Sequence, residues 1–142
     1  MPTLYELIIV SIVLIICTIT DIRTMTIPPW LCLVLIAVAA FEPGRDYANS
    51  LISALAGFIP LFILARIGNG GDGDALMFGA IGFTVPLVFA LYLFLFTSIL
   101  YTIVLGGVVI KTRDRKKQLP FVPFILAAWT ILHVLHYTGV IF

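Results

Sequence analysis

Long apolar runs, separated by short polar or glycine-rich breaks, organise this chain. The runs cover residues 4–20, 28–41, 47–67, 75–110 and 119–140, and most charged residues fall between them. A helix of about 20 apolar residues can cross the hydrocarbon core of a bilayer, which is ~30 Å thick. The pattern therefore predicts membrane helices connected by short loops.

The run from Ala75 to Ile110 is too long for one span. Its 36 residues carry no charge, and one straight helix of that length would extend about 54 Å. The segment 82–86, which contains Gly82 and Pro86, offers a break between two shorter helices. The predicted spans are then 4–20, 28–41, 47–67, 74–84, 86–110 and 119–140. They form one all-α, membrane-embedded domain over residues 1–142, with six transmembrane helices.

The distribution of basic residues supports six spans. The loops after spans one, three and five then share a side and hold seven of the eight Lys and Arg residues. Basic loops stay on the cytoplasmic side of a membrane. The sequence therefore predicts a multi-pass protein of the cell membrane with both termini outside the cytoplasm. The basic loop 111–117 could also bind anionic lipid, but its position inside explains it more simply.

Composition excludes several other classes of protein. Of the 142 residues, 62% are apolar and 11% are charged, with a formal net charge of +1, whereas soluble domains have ~25% charged residues. Intrinsic disorder and nucleic-acid binding are also excluded, because both require a larger share of charged residues than this chain has.

Metal and cofactor sites are not predicted. Two cysteines cannot supply a four-cysteine zinc site, and Cys17 and Cys32 are expected to fill the core or, alternatively, to form a disulfide. His133 and His136 share a helix face but have no acidic or cysteine residue nearby in the sequence. Packing at the membrane interface is therefore the favoured interpretation of the histidines.

Two aspartates are the candidate reactive groups. Asp21 lies where the first predicted span ends and Asp74 where the fourth begins, both on the predicted cytoplasmic side. Carboxylates at a membrane boundary are costly and indicate function. The simpler alternative is that both are helix-end charges, with Asp74 as an N-cap. Four glycines within 68–73 favour function, since such a loop allows another backbone to approach closely.

Three stretches resemble the type IV prepilin and preflagellin peptidases, a family of membrane aspartic proteases. Residues 21–28, DIRTMTIP, resemble the first catalytic motif of that family. Residues 71–82, GDGDALMFGAIG, resemble its Gly-x-Gly-Asp motif and the small-residue helix after it. Residues 119–124, LPFVPF, resemble the start of its last span. Order, spacing and the predicted layout agree over nearly the whole chain.

The resemblance implies a role for six residues. Asp21 and Asp74 would be the catalytic pair, and Asp72 is the rival to Asp74. The implied substrate-contacting residues are Arg23, Gly71, Asp72 and Gly73. The sequence departs from the family at Leu76, where Lys is frequent, and at Pro29, where Asn is frequent, which affects the expected substrate preference more than the reaction.

The implied function is proteolysis of pilin-type precursors in a prokaryotic membrane. The expected substrates are prepilin-like or preflagellin-like proteins, cut after a short basic leader by a water that the aspartates activate. The resemblance implies the form of the enzyme without a methylating segment, and a homo-oligomer is left open. The alternative is a small proton-coupled transporter or channel subunit, because paired intramembrane acids and glycine breaks serve those proteins too.

Overall fold

The computed structural model describes residues 4–68, 71–113 and 118–140, and all the regular secondary structure in these ranges is helical. Its six helices are α1 (Leu4–Thr24), α2 (Pro29–Ala40), α3 (Tyr47–Gly68), α4 (Asp72–Thr84), α5 (Leu87–Thr112) and α6 (Val122–Tyr137). The all-α class and the number of helices agree with the prediction. The end of α1 lies beside the start of α6, where the backbone N–H of Val122 donates to the carboxylate of Asp21.

The first helix extends beyond its predicted end. It continues through Asp21 to Thr24, so Asp21 is part of the helix rather than of the turn that follows. The hydroxyl groups of Thr20 and Thr24 donate to backbone carbonyls one turn earlier, which lets polar residues remain helical. Met25 then ends the helix in a left-handed conformation, with φ of 54°. The second helix begins at Pro29, as the two prolines predict.

The predicted break in the long apolar run is confirmed. Helix α4 ends at Thr84, and Val85 and Pro86 are extended before α5 begins. A buried hydrogen bond holds this corner, because the hydroxyl of Ser53 donates to the carbonyl of Val85 over 3.0 Å. Proline cannot continue a helix through this point, and a side chain from α3 replaces the missing backbone partner.

Helix α4 is the centre of the molecule and packs against α2, α3 and α5. It is only 13 residues long, and seven of them are buried. Its largest buried side chains, Met77, Phe78 and Ile81, join the core built by α1, α2, α5 and α6. Cys17 and Cys32 are both free and buried, as core filling predicts. The central position of α4 explains why it needs neither the length nor the uniform apolarity of a lipid-facing helix.

Three helices are long and apolar enough to cross a membrane, namely α1, α3 and α5. Helices α2 and α6 are apolar but shorter, at 12 and 16 residues. Helix α2 would extend about 18 Å, less than the ~30 Å of a hydrocarbon core. A membrane protein with several apolar helices is therefore what the structure supports, and six complete crossings remain a prediction.

The contact between α3 and α4 is close at one end and open at the other. At Gly82 an added Cβ would lie 2.6 Å from the carbonyl oxygen of Ser53, and at Gly57 it would lie 3.0 Å from that of Phe78. At Gly68 and Gly71 it would meet no described atom within 4 Å. Gly82 of α4 thus makes a close contact with the backbone of α3. Gly106 and Gly107 of α5 instead face open space among the described residues.

Candidate active site

Asp21 is held at the N-terminus of the last helix. Its carboxylate is 4% exposed and accepts a hydrogen bond of 2.9 Å from the backbone N–H of Val122, the first residue of α6. The first N–H groups of a helix have no partner within the helix and attract negative charge. One oxygen of Asp21 is therefore fixed, and the carboxylate is tethered across 101 residues of sequence.

Asp74 lies in the first turn of α4 and is half-buried. The N-cap of α4 is Gly71, which is extended. The interpretation of Asp74 as the N-cap is therefore wrong, because the helix begins at Asp72, three residues before the start that this interpretation requires. Asp74 instead lies within the first turn of the helix.

The two aspartates line one cavity of about 190 Å³ at the open end of the molecule. They also interact electrostatically with each other. The lining comes from the ends of four helices and the body of a fifth: Asp21, Met25, Gly68, Gly71, Asp74, Tyr101, Gln118, Leu119 and Phe121. Residues 53 positions apart in sequence therefore meet in one space. Two carboxyl groups that face one space could serve as an acid and a base for a molecule bound there.

An apolar cleft of about 370 Å³ adjoins this cavity. The two spaces share five lining residues: Gly68, Gly71, Asp74, Tyr101 and Phe121. One wall of the cleft is the α3 face that carries Leu61, Leu64 and Ala65, and the other is the α5 face that carries Ser98 and Thr102. The cleft therefore connects the acids to the space between two long helices.

The remaining predicted site residues lie around the cavity rather than together inside it. Gly71 lines it, and Gly73 packs against Ile27, where an added Cβ would approach to 3.3 Å. Asp72 is exposed and pairs with Arg66 of α3 over 3.6 Å. Arg23 is exposed in the last turn of α1 and is not among the lining residues described. The structure thus separates Asp72 from the acid cavity, and the roles of these residues remain predictions.

Parts of two predicted features lie outside the described residues. These are positions 69 and 70 of the glycine-rich loop and positions 114–117 of the basic loop.

Within the described ranges, no three His, Cys, Asp or Glu residues are grouped as a metal site would require. His133 packs its ring against Phe89 and Trp129, with ring centroids 5.1 Å and 4.3 Å apart. One ring nitrogen of His133 is 2.8 Å from the carbonyl oxygen of Trp129. These contacts assign His133 to aromatic packing.

Sequence reasoning missed Tyr101 and Met25 as cavity residues. Tyr101 lies in the middle of a charge-free apolar run. The one sequence feature that could have identified it was a phenol among aliphatic and hydroxyl side chains. Its ring meets Phe121 and Phe124 edge to face at 5.0 Å and 5.4 Å, so the LPFVPF motif fixes this side chain. Such contacts join distant segments, and no local pattern reports them.

Comparison with known proteins agrees with the family that the sequence motifs indicate. The sequence pattern of the type IV leader peptidase family matches residues 8–106. The prepilin leader peptidase/N-methyltransferase of Bacillus subtilis (strain 168) is 33% identical over 135 residues, which cover 90% of this chain and 54% of the relative. The chain therefore spans about half the length of this curated relative. No solved structure matches the chain. With the family pattern covering well over half of its length, this chain belongs to the type IV leader peptidase family, which confirms the resemblance carried by its aspartate and glycine motifs.

Proposed function

We propose that this chain is a membrane aspartic endopeptidase that cuts the leader from prepilin-like or preflagellin-like precursors. The observation that carries the proposal is the meeting of Asp21 and Asp74 in one cavity beside an apolar cleft. Family membership supports a peptidase, and the cavity supports the aspartates as its reactive groups. Leader cleavage further agrees with the printed name of the Bacillus subtilis relative.

The chemistry requires only water and the two carboxyl groups. The ionised carboxylate takes a proton from water while the water oxygen bonds to the scissile carbonyl carbon. The protonated carboxyl donates to the carbonyl oxygen, which receives the displaced electron pair. Collapse of the tetrahedral intermediate breaks the C–N bond, and the leaving nitrogen takes a proton from the pair. The hydrogen bond from the backbone N–H of Val122 holds the carboxylate of Asp21 at the cavity, where we propose that it takes part in this exchange.

The cavity is proposed to lie at the cytoplasmic boundary of the membrane. The three long helices α1, α3 and α5 each carry a basic residue in the last turn, at Arg23, Arg66 and Lys111. Helices α1 and α3 end at the acid cavity itself. Basic residues at these ends favour the cytoplasmic side. A precursor whose basic leader remains in the cytoplasm would meet the acids there.

The cleft between α3 and α5 suits the apolar segment that follows the scissile bond. Its lining is mainly apolar, and it reaches Asp74 without leaving the space between the two helices. A precursor could lie along the cleft with the bond to be cut at the carboxylates. Arrival from the lipid side would spare the enzyme from unwinding a complete membrane span of the substrate.

The proposal is tested with purified protein in detergent and a prepilin-type precursor. Wild-type protein is expected to release the leader, whereas Asp21→Asn and Asp74→Asn are expected to release none. Asparagine keeps the size and the carbonyl oxygen of aspartate but cannot take up the proton of water. Full cleavage by Asp74→Asn would overturn the assignment. Proton flux in liposomes, without cleavage by the wild type, would instead favour the transporter.

A further inference from the structure

We propose that the hydroxyl group of Tyr101 donates a hydrogen bond to the carbonyl oxygen of the scissile peptide and to the oxyanion formed from it. This inference rests on the proposed function, because it assigns a third group to the same reaction. Tyr101 is the one residue of α5 that lines both the acid cavity and the apolar cleft, within the lining described. A bond presented from the cleft to the acids therefore passes this side chain.

The position of the phenol is fixed by its ring. Phe121 and Phe124 meet the ring at interplanar angles of 72° and 88°, which is the edge-to-face arrangement that aromatic pairs prefer. Phe121 also precedes Val122, whose N–H holds Asp21. The same short segment thus positions both Tyr101 and one of the acids. Packing of this kind holds the side chains of a site in a fixed geometry relative to one another.

The hydroxyl group of Tyr101 can act as a donor at neutral pH. A phenol has an ordinary pKa of about 10 and therefore keeps its proton, and Tyr101 lines the same cavity as Asp21 and Asp74. A neutral phenol can donate one hydrogen bond. The carbonyl oxygen of the substrate has two lone pairs, so it can accept from a protonated carboxyl and from Tyr101 together. A preorganised donor of this kind stabilises charge that develops in the transition state.

Tyr101→Phe tests the hydroxyl without removing the ring. Losing one donor to an oxyanion lowers kcat by about 10²-fold, and we expect that loss with KM for a prepilin-type precursor nearly unchanged. The matched control is Tyr92→Phe, the same substitution nine residues earlier on α5 and outside the described lining of both spaces. The control is expected to keep wild-type kcat. Thermal unfolding of Tyr101→Phe in detergent should match that of the wild type.

A second measurement separates catalysis from structure. A precursor peptide with a hydroxyethylene group in place of the scissile bond mimics the tetrahedral intermediate. Tyr101→Phe should weaken inhibition by this peptide at least tenfold, while inhibition by the apolar cleavage product stays the same. A merely structural tyrosine would change both equally.

The outcomes separate this inference from the proposed function. Unchanged kcat in Tyr101→Phe, or a loss that falls entirely on KM, overturns the role of Tyr101 while inactive Asp74→Asn still upholds the peptidase. Absence of leader cleavage by the wild type would overturn the proposed peptidase, and normal cleavage by Asp74→Asn would overturn the aspartates as its reactive pair. Either result would remove the role of Tyr101 as well.

Discussion

The two ends of the helix bundle differ in how they use buried charge. At one end, two carboxyl groups line a cavity, and the glycines beside them leave space between α3 and α4. At the other end, Arg45 is buried between carboxylates, and the glycines of α4 touch the backbone of α3. The same short helix, α4, contributes to both ends. The comparison separates an end of the molecule that holds the bundle together from an end that is open, where we propose that the substrate binds.

Arg45 organises the closed end. We call Arg45, Glu6 and Glu42 together the Arg45 clamp. Its guanidinium pairs with Glu6 at the start of α1 and with Glu42 just after α2. It also donates to the carbonyl oxygen of Phe83 near the end of α4, over 2.7 Å. Burial lowers the pKa of Arg45 from its ordinary value, and the two carboxylates offset the cost of burying the charge. One side chain thereby ties α1, the connection from α2 to α3, and α4.

The difference suggests how a small membrane protein can hold two carboxyl groups beside a cavity without collapsing around them. An unpaired carboxylate in a membrane interior is destabilising. Here the acids lie at helix ends whose opposite ends are secured by the clamp and by close glycine contacts. Stability and reactivity are therefore expected to respond to different substitutions.

Substitution of Asp21 should produce the largest effect and should divide activity from stability. Asp21→Asn and Asp21→Ala are both expected to lower cleavage by on the order of 10⁴-fold, the size of effect seen when a reactive side chain is removed from a protease. Only alanine should also destabilise the protein, by about 1–3 kcal/mol, because the buried N–H of Val122 then loses its acceptor. The asparagine amide oxygen can still accept this bond. Parallel cleavage assays and unfolding curves would measure both; equal stability of the two variants would contradict the tether.

Arg45→Met should lower the stability of the protein strongly but leave the activity of the folded protein unchanged. Removing one partner of a buried ion pair leaves uncompensated charge and costs about 3–5 kcal/mol, here through Glu6 and Glu42. The unfolding temperature in detergent should fall steeply. At low temperature, the fraction that is still folded should cleave a precursor at the wild-type rate. A triple variant that also carries Glu6→Gln and Glu42→Gln should recover part of the stability, because the two side chains that faced the lost guanidinium are then neutral. If the folded fraction were inactive instead, the two ends would not be separable.

Sequence reasoning predicted the helices well, and the physical reason is local. Charges, glycines and prolines interrupt apolar helices wherever they occur, so the break at Pro86 and the start of α2 at Pro29 could be predicted. The end of α1 could not, because Asp21 remains helical through its contact with Val122. The clamp and the position of Tyr101 at the cavity were also missed, because both depend on contacts between segments that are far apart in the sequence. Arg45 and Glu6 lie 39 residues apart, and uniform apolar helices carry no period that shows which faces meet.

Gly82→Ala would test the close contact at the closed end. An added Cβ would lie 2.6 Å from the Ser53 carbonyl oxygen, which is backbone and cannot move away easily. Overpacking of this kind costs about 1–3 kcal/mol, and the unfolding temperature should fall. The matched control is Gly107→Ala, which meets no described atom within 4 Å. Alanine there should stabilise α5 by roughly 0.5–1 kcal/mol through helix propensity. Changes of the same sign at both positions would argue against the difference in packing.

Asp72→Ala should change stability and kcat less than any of the other substitutions. Such a result would place Asp72 outside the reacting part of the open end. Asp72 is two residues from Asp74, but its side chain is 54% exposed and pairs with Arg66 on the surface. Surface pairs contribute about 0–1 kcal/mol, so stability should barely change, and kcat should remain close to that of the wild type. An exposed carboxylate near the cavity can still attract a basic leader. KM is therefore expected to rise severalfold at low salt, with the difference vanishing near 1 M salt, where screening acts within ~3 Å. Rates measured across a salt series would decide this, and a loss of kcat as large as that of Asp74→Asn would make Asp72 one of the reactive acids.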